Sequence, residues 1–318
     1  MVNAFSFACS ACGKCCNSPP SMTLAELFMH RDRFIGCLAI GRVSRKRQGE
    51  RLRVGHHESV LDDTDIAEFA SIADTLLYQA GETFSIATQG YDYPSVGRCP
   101  ALEEDGRCAI HFAGKPVTCE VVPLDPLVPD RLQHLVLAAR NQSGAYFGAN
   151  CIQEGEHVDA ALLVSGSRIV DAGALHAVTR RRHALAKERE IWGQAVFESL
   201  RQDLFNSPAA LARIPAGGFL TISIVPALLA VAGASERCRQ LTAVYIDSQI
   251  ALIGRSIDQA LLRRRLDDRP VTQELRGFAN AYQRAKALLA VPLAADHHNR
   301  DTSFASNVEA YLSGTTAP

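Results

Sequence analysis

The residues in this sequence best suited to chemistry are its cysteines, ten in 318 residues, and their spacing says more than their number. Cys9, Cys12, Cys15 and Cys16 form a C-x2-C-x2-C-C run within FACSACGKCC. Cys99, Cys108 and Cys119 form a second group, CPALEEDGRCAIHFAGKPVTC, and Cys151 follows at a distance. A two-residue gap lets both thiolates of a C-x2-C turn face one ion, with intervening backbone N–H groups aimed at the sulfurs. The four thiolates of the first run cannot easily share one ion, because adjacent Cys15 and Cys16 point differently. At least one should meet another metal or pair with the second group. Seven or eight thiolates exceed the requirement of one tetrahedral zinc. They suffice for a [4Fe–4S] cluster plus a zinc, for two clusters, or for one cluster with spare thiols. Thiolate-only ligation selects soft or borderline metals. The simplest alternative is a structural zinc knot that holds a loop-rich domain together. Cys37 and Cys238 stand alone in helix-patterned segments, and ordinary buried thiols are expected there.

Other side chains cluster around this pattern. His111 follows Cys108 by three residues and is read as a ligand, a donor to a cluster sulfur, or a core residue. Tyr91 and Tyr93, in QGYDYPSVG ahead of Cys99, could line a cofactor pocket near the metal or simply pack an aromatic loop over it. The pairs His56-His57 and His297-His298 sit in polar segments, where adjacent histidines are more often solvated than ligating. Arg180–His183 reads as a solvated helix face, as charge runs usually are. No G-x-G-x-x-G follows a strand pattern, no Lys-Ser/Thr follows Gly217-Gly218, and the C-x3-C-x2-C spacing of ordinary radical enzymes is missing. No Ser/His/Asp arrangement is recoverable, so no catalytic residue is assigned.

The elements that must position these residues fall into two parts. Glycine, proline and turn chemistry concentrate between Gly81 and Pro129, with TFSIAT (83–88) alternating as a strand does. Thr23 with Glu26 forms a capping box. Asp62 or Asp63 opens a helix expected to run to Ala80, with Gly81 as its stop. Segment 41–57 is basic and expected as a loop or loose hairpin. Beyond residue 155 the pattern turns helical over 174–205, 219–233, 236–266 and 271–290, punctuated by Pro208, Pro215 and Pro270, with a partly ordered tail from Asp296. The expected fold class is α+β, mostly α. A cysteine-rich metal-binding domain with short strands covers residues 1–155, including a helical insertion over about 23–80, and a helical domain covers 156–318.

Composition narrows the function classes. Lys plus Arg number 33 against 34 Asp plus Glu, so net charge gives no reason to expect nucleic-acid or membrane binding. MVNAFSFACSACGKCC lacks the pattern of a secretory signal, and the apolar run 219–233 is too short to span a bilayer. A soluble cytoplasmic protein is expected, in a reducing compartment that favours metal-bound thiolates over disulfides. The oligomeric state is left open.

In the order of these motifs the chain resembles the CxxCxxCC cysteine-cluster family, described as a zinc- or iron-chelating domain. The matching residues are Cys9, Cys12, Cys15 and Cys16, then Cys99 in RCPAL, Gly106-Arg107-Cys108-Ala109-Ile110-His111, Lys115-Pro116 before Cys119, and Pro123. The match covers about the first 125 residues apart from the insertion. It departs at His111, where many members have Tyr, and at Lys115, where many have Arg, which puts in doubt any role for a Tyr hydroxyl or an Arg fork. Within the family the flagellin lysine N-methylases are similar in having the cluster in front of a helical portion. That resemblance implies an iron–sulfur cluster, S-adenosylmethionine and a protein substrate such as flagellin. The alternatives are a non-catalytic zinc or iron module that mediates interactions, and a redox or metal sensor.

Overall fold

Thr23 and Asp62 each close a capping box in the computed structural model of the chain, which describes residues 3–143, 151–215, 217–290 and 302–314. In each box the side chain accepts from the backbone N–H three residues on, and Glu26 or Asp65 reaches back to the cap.

The strands are β1 (Phe5–Phe7), β2 (Ile35–Val43), β3 (Arg51–Val54), β4 (His57–Val60), β5 (Tyr78–Ala80), β6 (Glu82–Tyr91), β7 (Ile152–Glu154), β8 (Ala161–Ser165), β9 (Arg168–Ile169) and β10 (Phe219–Ser223). The α-helices are α1 (Leu24–Met29), α2 (Asp63–Leu76), α3 (Val117–Val121), α4 (Gln133–Gln142), α5 (Ala172–Glu188), α6 (Gln194–Leu200), α7 (Pro208–Leu211), α8 (Val225–Ala232), α9 (Glu236–Arg263), α10 (Asp268–Ala290) and α11 (Thr302–Leu312). The fold is α+β and mostly helical, with small antiparallel sheets. No helix among the described residues is long and apolar enough to cross a membrane.

The chain divides into two compact units, and it enters each of them three times. The first unit contains residues 1–17, 43–83 and 101–186; the second contains 18–42, 84–100 and 187–318. The composition-based cut falls between 155 and 156. The units instead exchange the chain within β2, β6 and α5 and in the loops at 17–18 and 100–101.

The first unit is built on a sheet in the order β7-β1-β8-β9. Phe5, Leu137, Ile152, Val164 and Val178 are buried together where α4 and α5 meet this sheet. Its β3–β4 hairpin pairs Val54 with His57 across a two-residue turn. The second unit has β2 between β10 and β6. Its long helices bury Trp192, Tyr245 and Tyr282, and Phe28 of α1 stacks on Tyr245 with ring centroids 4.5 Å apart.

Several local expectations change in this setting. The segment 23–80 carries β2, β3 and β4 as well as α1 and α2, so it is not a helical insertion. α2 stops at Leu76, and Gly81 with φ +72° makes the turn from β5 into β6 rather than a helix stop. Leu76, Leu77 and Tyr78 are all buried, which commits the chain to an extended path there. Residues 219–223 form a strand because they pair with β2, Phe219 opposite Gly41. Only 225–232 of that apolar run is helical. The amphipathic stretch 174–205 is helical but is interrupted by π-turns at Arg189–Gly193 and Arg201–Phe205. In the expected tail, residues 302–312 form α11. His297 and His298 lie outside the described residues.

Candidate metal centre

β1, an inner strand of its sheet, delivers the cysteine run. Its register against β7 pairs Phe5 with Glu154, Ser6 with Gln153 and Phe7 with Ile152. One step further the Ala8 N–H donates to the Cys151 carbonyl at 2.9 Å. The sheet therefore sets Ala8, the residue before Cys9, opposite Cys151, although 143 positions separate them (151 minus 8).

From Cys9 the chain leaves the sheet in a tight loop. Ala11 and Gly13 both have positive φ, at 50° and 71°, and Lys14–Cys16 forms a 3-10 turn closed by Cys16 N–H to the Gly13 carbonyl at 2.9 Å. Cys9, Cys12 and Cys15 are exposed, and Cys16 is half-buried. The Lys14 backbone N–H beside Cys12, helped by the Ser10 hydroxyl and the Cys151 thiol, holds the Cys12 thiol below its ordinary range. Backbone N–H groups aimed at sulfur are what a C-x2-C turn supplies to a thiolate ligand. Cys15 goes the other way: its hydrogen bond with the adjacent Cys16 thiol pushes it up, with the Lys115 ammonium opposing.

The second cysteine group packs onto this loop through backbone. Residues 101–109 form a small hairpin, with Glu103 N–H to the Arg107 carbonyl at 2.8 Å and Ala109 N–H to the Ala101 carbonyl at 2.8 Å. Leu102 and Cys108 form a bridge within it. Gly106 at its tip lies so close to the loop that a Cβ there would stand 2.6 Å from the Ala11 carbonyl oxygen. Cys119 sits half-buried in α3, between the buried Val117 and Val121. Its neighbour Glu120 is held by Arg180 at 2.7 Å, and Arg182 reaches Asp130 at 2.9 Å. Arg181 is buried. The basic run of α5 is thus a clamp on the segment after Cys119, not a solvated face.

No family model matches this chain, and no curated protein or solved structure does either.

The remaining residues singled out by sequence are placed as follows. Cys99 is buried and belongs to the second unit, as do Tyr91 and Tyr93. The Tyr91 hydroxyl donates to Glu274, and its ring lies 5.6 Å from Phe278. Tyr93 is buried, its hydroxyl 3.0 Å from Thr272 Oγ1, with the Arg263 guanidinium 4.9 Å over its ring. Both tyrosines are thus engaged by the α9–α10 pair. His111 is exposed and edge-on to Phe112 at 4.6 Å, and its N–H donates to the Cys108 carbonyl. Cys37 and Cys238 are buried core thiols, as expected, Cys37 in a strand rather than a helix.

Among the described residues, no three cysteine sulfurs lie within 4.8 Å of one another. A closed zinc tetrahedron needs sulfurs roughly 3.8 Å apart, given zinc–sulfur bonds of about 2.3 Å. One constellation does meet that 4.8 Å spacing, His56, His57 and Glu154, of which sequence reading named the histidine pair, as more often solvated than ligating, and missed the carboxylate. Adjacent histidines alone are a weak signal, and only the β1–β7 register brings the carboxylate to them.

Proposed function

We propose that the cysteine-bearing end of the first unit is a thiolate metal centre, and that it takes an iron–sulfur cluster rather than a closed zinc site. The observation that carries this reading is the convergence of three distant segments: the Cys9–Cys16 loop, the Cys108 hairpin and Cys151. The ligand pool in this unit is Cys9, Cys12, Cys15, Cys16, Cys108, Cys119 and Cys151. Each thiolate of a four-iron cluster binds its own iron, so such a cluster suits sulfurs spread wider than a zinc tetrahedron. A lowered Cys12 thiol suits it as well, since the thiolate is the ligand form. Thiols in this number, with no disulfide among the described cysteines, suit a reducing cytoplasm.

Exposure of Cys9, Cys12 and Cys15 leaves the loop open to a second ligand. That favours the methyl-transfer reading implied by the resemblance, with S-adenosylmethionine bound at the metal and a protein lysine, such as one of flagellin, as acceptor. The test is reconstitution of the full chain with iron and sulfide under anaerobic conditions. Iron and sulfide in equal amounts with a broad visible band support the cluster, and S-adenosylmethionine binding that depends on iron supports the reaction. Stoichiometric zinc with no uptake of iron overturns the cluster and leaves a chelating module.

A further inference from the structure

The β3–β4 hairpin presents two imidazoles to one carboxylate. His56 Nε2 lies 3.3 Å from Glu154 Oε2, and His57 Nε2 lies 3.2 Å from Glu154 Oε1. Neighbouring strand residues normally face opposite ways. Here His56 is in the turn and His57 begins β4, and Gly55 ahead of them has φ +59°. A glycine at positive φ lets this two-residue turn swing both rings to one side, with centroids 4.1 Å apart.

Two features distinguish this group from a surface ion pair. The His57 side chain is 7% exposed, and its Nε2 is buried without a hydrogen-bond partner, despite the nearby carboxylate. Its other nitrogen, Nδ1, stands 3.3 Å from Asn3 Oδ1. With the Nδ1 proton donated to that oxygen, the Nε2 lone pair is left pointing into the group, as in metal-bound histidines whose second nitrogen is hydrogen-bonded. Phe5, with its ring 5.1 Å away, holds the imidazole from the sheet side.

We propose that His56, His57 and Glu154 hold a divalent first-row transition ion of the zinc class, with Asn3 orienting His57. Two imidazoles and a carboxylate are a ligand set suited to zinc and its neighbours, and they leave coordination positions vacant. Those positions face solvent, because the His56 and Glu154 side chains are 57% and 43% exposed. The site is separate from the thiolate centre: Glu154 and Cys151 lie about 10 Å apart along the chain, at roughly 3.3 Å per residue.

The experiment uses the full chain, stripped of metal and then dialysed against zinc or cobalt(II). The expected result is one equivalent that shows no thiolate-to-cobalt charge-transfer band. That equivalent is lost in His56→Ala and Glu154→Gln and kept in Cys12→Ser. Asn3→Ala should weaken it about 10- to 100-fold. Unchanged stoichiometry and affinity in His56→Ala and Glu154→Gln would overturn the site. Diethyl pyrocarbonate labelling of the wild-type chain, read by mass spectrometry, decides the matter without variants. Zinc should protect His56, and equal labelling with and without zinc refutes the assignment. Failure of the thiolate centre appears separately, as loss of the charge-transfer band.

Discussion

Ser10 Oγ lies 3.3 Å from Cys151 Sγ, a contact between residues 141 positions apart. It joins the first cysteine run to Cys151, which no local motif claims. The same thiol lies beside Cys12, so Cys151 borders the loop as a neighbour in space rather than in sequence. Cys151→Ser and Cys12→Ser should each lower iron incorporation at least several-fold. Cys238→Ser should not, because that thiol is buried in α9 and belongs to the second unit. Iron and sulfide per chain, measured after anaerobic reconstitution, check all three. Loss of iron in Cys238→Ser would mean that the cysteines are wrongly divided.

The two ends of the C-x2-C-x2-C-C run should differ in reactivity. Cys12 and Cys15 are both exposed, but the Cys12 thiol is lowered by the Lys14 N–H, whereas the hydrogen bond with the Cys16 thiol raises Cys15. The thiolate is the nucleophile, so in metal-free protein near neutral pH iodoacetamide should modify Cys12 ahead of Cys15. Time-resolved peptide mapping reads the order. Cys15 reacting first would remove the argument that backbone N–H groups prepare Cys12 as a ligand.

What could be read ahead of the structure was local. The capping box at Thr23 and the helix start at Asp62 are each set within four consecutive residues, and both form. The order of the cysteines was also legible, since it is a property of the chain alone. What escaped depends on partners distant in sequence. Phe219–Ser223 reads as helix by its apolar run, and only pairing with β2 makes it a strand. His57 reads as solvated and is buried because Phe5, Asn3 and Glu154 arrive from other segments. Arg180 and Arg182 read as a surface run because their acceptors, Glu120 and Asp130, are more than fifty residues away.

Gly106 connects the two cysteine groups sterically. Its φ is +81°, and an added Cβ would approach the Ala11 carbonyl oxygen to 2.6 Å. Gly106→Ala therefore combines a left-handed backbone with a contact that forces the hairpin off the loop. A cost of about 1–3 kcal/mol is expected, together with reduced iron uptake, because Cys108 moves with the hairpin. Urea denaturation and metal analysis of the variant test the pair of effects. A stable variant with full iron content would show that the hairpin and loop need not touch.

Asp65 makes the first unit sensitive to acid. Burial raises its carboxyl, but hydrogen bonds from Arg131 and the Asp62 backbone, with the Arg131 charge, outweigh that and leave it below the usual carboxylate range. Arg131 Nε donates to Asp65 Oδ1 at 2.7 Å, and its Nη2 lies 3.1 Å from Asp62 Oδ2. A folded-state value below the unfolded one means the stabilisation is complete above the unfolded value, about 3.9. It is lost as pH falls through the folded value. Urea midpoints measured between pH 7 and pH 2.5 should therefore drop more for wild type than for Asp65→Asn. Parallel curves would remove Asp65 from the acid response.

Glu188 is the polar centre of the second unit. It is 3% exposed, and its Oε1 accepts from the Leu24 N–H at 2.6 Å, the Trp192 indole at 3.1 Å and the Tyr311 hydroxyl at 2.8 Å. These donors come from α1, the π-turn at Arg189–Gly193 and α11, so one carboxylate gathers three segments. The Leu24 N–H is one of the amides that a helix start leaves without an intrahelical acceptor. Glu188→Leu keeps much of the volume but leaves three buried donors without their acceptor, each worth roughly 1–3 kcal/mol. The loss should be at least about 3 kcal/mol by urea denaturation. Glu188→Gln retains one acceptor oxygen and should lose less, because the amide nitrogen is accommodated only where it replaces the other carboxylate oxygen. A leucine variant within about 1 kcal/mol of wild type would mean that the donors find other acceptors, and that apolar packing alone holds α11 to α1.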